Sequence, residues 1–172
     1  MGSEMCIRDR DTLSQMSNGF AQKMASLEFE IHELAGRSFN LGSPKQLGEV
    51  LFDEMALPGG KKGKTGAYAT GVDVLEDLAT EHILPGLVLD WRQLSKLKST
   101  YTDALQDHIH PETGRVHTSY SISGASTGRL SSTDPNLQNI PIRTEDGRKI
   151  RRAFVADPGK SLVALDLSLI HI

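Results

Sequence analysis

Apolar residues recur at steps of three and four along residues 12–35: Leu13, Met16, Phe20, Met24, Leu27, Ile31 and Leu34. That period predicts one long amphipathic helix, ended by Gly36. Ser43-Pro44-Lys45-Gln46 opens a second helix. Ser43 can cap it, Pro44 suits the first helical position, and Gln46 can reach back as in a capping box. Leu47, Val50 and Leu51 form its buried side. Thr70 to Asp73 repeats the device, Thr at the cap and Asp three on, before VLEDLA. A fourth helix is predicted from about 85 to 107, with Leu87, Trp91, Leu94, Tyr101 and Leu105 on one stripe. Lys98 occupies the stripe position between Leu94 and Tyr101.

Strand signals come late. Val116 to Ile122 alternates weakly. Ala153–Val155 and Leu162–Leu165 are short apolar runs separated by Asp157-Pro158-Gly159-Lys160, a turn signal. They predict a hairpin whose second strand ends at Asp166. Four helices followed by polar strands make an α+β chain, a helical arm attached to a sheet-bearing body. There is no internal repeat.

Composition adds limits. At 172 residues and 38% hydrophobic the chain can bury a core, as one ordinary domain or two small ones. No apolar run approaches the roughly 18–20 residues needed to span a bilayer, and the start has no signal-peptide segment. The single cysteine, Cys6, excludes an internal disulfide and a cysteine-based zinc site. A reduced, cytosolic setting is expected. Net charge is −3, which averaged over the chain disfavours a nucleic-acid partner. The distribution changes that picture. Residues 1–90 hold 8 Lys/Arg against 14 Asp/Glu, and residues 91–152 hold 10 against 6. A basic segment beside an acidic one fits either a polyanion partner or a solvated basic face.

Several local patterns bear on chemistry. GGKKGKT at 59–65 nearly spells a phosphate-binding P-loop, but Pro58 stands where the first glycine is required and no strand precedes it. A mobile basic loop between two helices fits better, with Lys61, Lys62 and Lys64 meeting phosphates or only water. Of six histidines, only His108 and His110 are close in sequence, beside Pro111 and without a carboxylate cluster, which argues against a metal. No serine sits in a nucleophile elbow. Asp166 ends the apolar run LVALD, where it either holds a cation or caps a following helix.

The stretch STGRLSSTDPNLQNIP, residues 126–141, is too polar for a core strand and too varied for a linker. Every DNA base pair presents acceptors in the minor groove. A protein that holds any paired duplex can meet them with Arg, Asn and Gln donors, while hydroxyls, Lys and Arg hold phosphates. Residues 126–141, followed by Arg143, Arg148, Lys149, Arg151 and Arg152, suit that task. A polar loop that satisfies itself internally is the alternative.

TGRLSSTDPNLQNIP (127–141) resembles the palm signature of the family A DNA polymerases. FNLGSPKQLGEVLF (39–52), LSKLKSTYTDAL (94–105), GRVHTSY (114–120) and RRAFVADPGKSLVALD (151–166) resemble the same family in the same order, covering about 20 to 166. The resemblance implies an internal fragment of a bacterial enzyme that extends a primer on a DNA template. Residues 12–113 would be the helical thumb, whose basic tip grips duplex, and 114–166 the first antiparallel strands of an incomplete palm. Arg129 would contact the minor groove at the primer terminus. Asn136, Gln138 and Asn139 would lie along the template and duplex, and Lys98, Ser99 and Thr100 would hold phosphates.

Asp166 matches the first catalytic aspartate, a ligand of both magnesium ions. The second aspartate and the triphosphate-binding helix have no counterpart in the chain, so the fragment is expected to bind duplex and to be inactive. Primer-template DNA and deoxynucleoside triphosphates are the implied partners, with no membrane, a monomer and a bacterial cytoplasm. The family pattern Tyr-Ser-Gln-Ile-Glu after the aspartate is replaced by Leu167, Ser168, Leu169, Ile170 and His171. Residues 1–11 and 167–172 are expected to be non-native tails. A non-catalytic duplex-binding module and a helical interaction domain are the competing classes, the basic segment weighing against the second.

Overall fold

The computed structural model describes residues 10–63, 66–142, 144–156 and 159–163. The first apolar stripe forms α1, Arg10–Ala35. Leu13, Phe20 and Ile31 are buried on it, whereas Leu34, assigned to the same stripe, is exposed. Gly36 ends the helix at φ +73°, a backbone region that costs glycine little, and its N–H donates to the Glu33 carbonyl at 3.2 Å.

Ser43 caps α2, Pro44–Gly48, by accepting from the Gln46 N–H. The expected capping box closes differently: the Gln46 side-chain oxygen accepts from the Asn40 N–H at 2.7 Å, three residues further back than predicted. A π-helical stretch, Glu49–Glu54, continues α2. The helix α3, Val72–Ala79, has Gly71 at its cap, with no side-chain cap bond. Thr70 is engaged elsewhere, its carbonyl accepting from Arg92 Nη1 at 2.6 Å, which corrects the predicted Thr70 cap.

The predicted fourth helix begins earlier and changes pitch. It runs as α4, Ile83–Leu97, capped by the His82 ring, then as a π-helical stretch, Lys98–Asp103, then as α5, Ala104–Asp107. The change of pitch alters the stripe: Leu94, Leu97, Tyr101, Thr102 and Leu105 are buried, and Lys98 is only half-buried.

Two short antiparallel ladders follow. β1, Ile109–His110, pairs with β2, Arg115–Val116, and β3, Ser119–Ser121, pairs with β4, Ser131–Thr133. Of the predicted strand at Ala153–Val155, Phe154 forms a β-bridge. Before it, Thr144 caps a helix α6, Glu145–Arg151, and the N–H groups of Ala153 and Phe154 donate back to Ile150 and Arg151 in closing turns. Glu145 and Asp146 occupy the first turn of α6. Leu162 and Val163 are exposed, and the rest of the expected second strand, with Asp166, lies outside the described residues.

The architecture is α+β, as expected, in two compact units. One is Ser17–Ser99. Its core joins Ile31, Phe39, Leu47, Val50, Leu75, Leu84 and Val88 from α1 to α4. The other comprises the described residues up to Met16 and from Thr100 onward, with Leu13, Tyr101, Leu105, Val116, Leu137 and Ile150 among its buried side chains. No described helix is long and apolar enough to cross a membrane.

Candidate nucleic-acid interface

The polar stretch 126–141 is built on buried hydroxyls. Thr118 and Ser132 are both buried, and their side-chain oxygens lie 2.7 Å apart. The Thr118 hydroxyl is also within hydrogen-bond distance of the Thr133 carbonyl at 3.0 Å and the Pro135 carbonyl at 2.7 Å. Ser132 Oγ accepts from the Leu137 N–H at 3.1 Å. These bonds fix the chain on both sides of the Asp134–Pro135 peptide, which is cis. Leu137 and Ile140 are buried, and Asn136, Gln138 and Asn139 are left exposed around them.

The amides partly serve the loop itself. Asn136 Oδ1 accepts from the Gln138 N–H at 3.0 Å, an Asx turn that leaves the Asn136 NH2 group as its outward donor. Gln138 Nε2 donates to the Leu130 carbonyl at 2.7 Å, next in sequence to Arg129. Arg129 is fully outside the core, on the turn between β3 and β4. The Asn139 carbonyl accepts from the Tyr101 phenol. Burial pushes the Tyr101 phenol above its ordinary pKa, so it remains a neutral donor. Gln138, Asn139 and Arg151 line one open cavity of about 450 Å³ with Ile140, Pro141 and Ile142.

The triplet Lys98, Ser99, Thr100 occupies the start of the π-helical stretch, a local geometry found often at functional sites. Ser99 and Thr100 are exposed, and the Ser99 hydroxyl donates back to the Ser95 carbonyl at 2.9 Å. The basic residues after 141 are not equivalent. Lys149 pairs with Glu145 at 3.0 Å and Asp146 at 3.2 Å, and those carboxylates raise its pKa. Arg148, Arg151 and Arg152 are exposed, and Arg143 lies outside the described residues.

Two features escaped the sequence reading. Tyr101 looked like core and is also the tether of Asn139. Thr118 and Ser132 carry no signal of their role, since no periodicity separates a buried bonded hydroxyl from an exposed one. The α6 helix had a readable signal, Thr144 followed by acids and then by bases in its last turn. The His110 and His117 rings lie with centroids 5.8 Å apart. Among the described residues no three His, Cys, Asp or Glu side chains gather as a metal site. With Asp166 outside the described residues, those present do not make up a site for the ions the family resemblance implies.

The sequence pattern of DNA polymerase family A matches residues 10–172. The chain belongs to this family. Among its family A relatives, DNA polymerase I of Rhizobium leguminosarum is 58% identical over 165 residues, covering 95% of this chain and 16% of that protein. The thermostable DNA polymerase I of Thermus aquaticus is 53% identical over 161 residues, covering 93% of this chain and 19% of that protein. The chain thus spans less than a fifth of the length of these relatives. A solved family A structure, the POL domain of Pol1 from M. smegmatis in complex with DNA primer-template and dNTP, superposes with a TM-score of 0.81 at 43% identity, covering 92% of this chain and 28% of that one.

Proposed function

We propose that this family A chain is the thumb and the opening of the palm of a bacterial DNA-directed DNA polymerase, and that its task is to hold primer-template duplex. The supporting observation is the loop 129–140. Buried hydroxyls and two leucine and isoleucine anchors leave an arginine and three amides exposed on a braced scaffold. Donors fixed in this way suit the acceptors that every base pair offers in the minor groove, whatever its sequence. Arg129 takes the primer terminus in this reading. Asn136, Gln138 and Asn139 follow the duplex, and Lys98, Ser99 and Thr100 take phosphates.

The parent protein would work as a monomer in the cytoplasm, adding deoxynucleotides from triphosphates with two Mg2+ ions. Asp166 is this chain's ligand to both ions. When bound, the ions would supply charge stabilisation at the attacking and leaving oxygens. Asp166 is the one carboxylate of this chain assigned to the ions, so the 172-residue chain alone is expected to extend no primer.

The test is titration of labelled duplexes of unrelated sequence with the 172-residue chain at several salt concentrations. Equal affinities across sequences are expected, with log affinity falling by about 0.9 per neutralised phosphate for each unit of log salt. Strong preference for one sequence, or affinity indifferent to salt, would overturn the reading.

A further inference from the structure

The basic loop after Leu57 is more ordered than a linker requires. Lys62 and Tyr68 form an antiparallel bridge. The Gly63 N–H donates to the Ala67 carbonyl at 2.8 Å, and the Ala69 N–H donates to the Lys61 carbonyl at 3.0 Å. Lys61 and Lys62 therefore lie on one arm of a short hairpin, and both are exposed. Tyr68 on the other arm joins the hairpin to the body of its unit. Its phenol donates to Asp53 Oδ1, and its ring meets the Phe52 ring at a centroid distance of 4.8 Å. The Lys62 ammonium stands 4.5 Å from the centre of the Tyr68 ring.

The seat for this ring is cut by glycines. A Cβ on Gly48 would stand 2.7 Å from the Tyr68 Cβ, and one on Gly60 would stand 2.9 Å from the Phe52 ring and 3.1 Å from the Tyr68 ring. Phe52 and Asp53 both come from the π-helical stretch 49–54. The cleft beside the ring carries Lys45 and Lys62 against Glu49 and Asp53. Its charges balance, so it offers little to a charged ligand, and the exposure of both hairpin lysines remains the feature to explain.

We propose that Tyr68 is a positioning residue that holds Lys61 and Lys62 in one register, so that they meet DNA phosphates without a separate cost of ordering the loop. This role rests on the reading of the chain as a duplex-binding thumb. A loop fixed before binding forfeits less conformational entropy on association. A cation against an aromatic face keeps its charge while losing freedom. Tyr68 touches no phosphate itself and acts through the two lysines.

The experiment is a double-mutant cycle on the full 172-residue chain, read as the slope of log duplex affinity against log salt. Tyr68→Ala is expected to lower the slope by about 0.9 for each phosphate that the lysines no longer neutralise, towards the value for the Lys61→Ala/Lys62→Ala variant. Adding Tyr68→Ala to that double variant should change nothing further. Tyr68→Phe keeps the ring against Phe52 and beneath Lys62, and should recover at least half of the missing slope. Tyr68 is half-exposed and outside the buried core, so Tyr68→Ala should keep its helical circular dichroism. An equal loss from Tyr68→Ala with and without the lysines would overturn the positioning role while leaving duplex binding intact. So would a wild-type slope in Tyr68→Ala, or a Phe variant no better than Ala. A wild-type chain whose duplex affinity ignores salt would instead remove the thumb reading, and the role of Tyr68 with it.

Discussion

Gln138 commits one Nε2 proton to the Leu130 carbonyl, and Asn136 commits its oxygen to the Gln138 N–H. What remains for a duplex in the proposed role is therefore unequal: the Asn136 NH2, the second Gln138 proton, the Asn139 side-chain amide, and the whole guanidinium of Arg129. That makes Arg129 the residue whose loss should cost most. In a chain completed with the rest of a family A palm, Arg129→Ala should slow primer extension and weaken discrimination against mismatched ends, since a mispair shifts the acceptors an arginine would touch. One charge-assisted hydrogen bond is worth about 1.5–3 kcal/mol, on the order of ten- to a hundredfold in rate. Extension rates on matched and mismatched primers are the measurement. Unchanged rates on both would take Arg129 out of the interface.

The β3–β4 ladder spans three residue pairs, and the side-chain bonds around it do much of the fixing. Thr118 Oγ1 is near two carbonyls and the Ser132 hydroxyl within a buried setting. Thr118→Val preserves shape and leaves those partners unsatisfied, at a cost of about 1–3 kcal/mol. Denaturant unfolding followed by circular dichroism should show the loss, with Thr118→Ser retaining most of the stability. A Val variant as stable as wild type would mean the hydroxyl is dispensable. The helices were legible because three- and four-residue periodicity reports burial directly: α1 begins and ends near its predicted bounds, and α2 and α4 begin near theirs. The pitch change at Lys98–Asp103 was not legible, since a π-helical stretch alters which residues are buried without altering their types. The helix α6 just before the predicted strand at Ala153–Val155 was not predicted, because its Thr144 cap precedes a run with a single large apolar residue, Ile150.

Across the whole chain, residue types marked 126–141 as a candidate surface, but only family resemblance chose it over a self-satisfied polar loop, because exposed Arg and Asn carry no periodicity that distinguishes a binding surface from a solvated one. Their buried support is visible only in the folded chain. The molecule-scale expectation concerns chemistry. The 172-residue chain should extend no primer with ample magnesium and all four triphosphates. A chain completed with the family palm should do so, and Asp166→Ala in that completed chain should reduce the rate by several powers of ten, as each ion supplies several kcal/mol. A labelled-primer assay on the three proteins checks this. Extension by the short chain, or full activity in the alanine variant, would sink the role given to Asp166. One detail reaches beyond catalysis. Tyr101 holds the Asn139 carbonyl with a phenol whose titration burial moves above the ordinary value of about 10. Because the raised group donates only while protonated, this tether is complete below that value and lost only as pH climbs through the shifted one. Acidification or mild alkalinity in a cell therefore gains no purchase on the amide surface through this bond. For this tether, a proton is the wrong messenger.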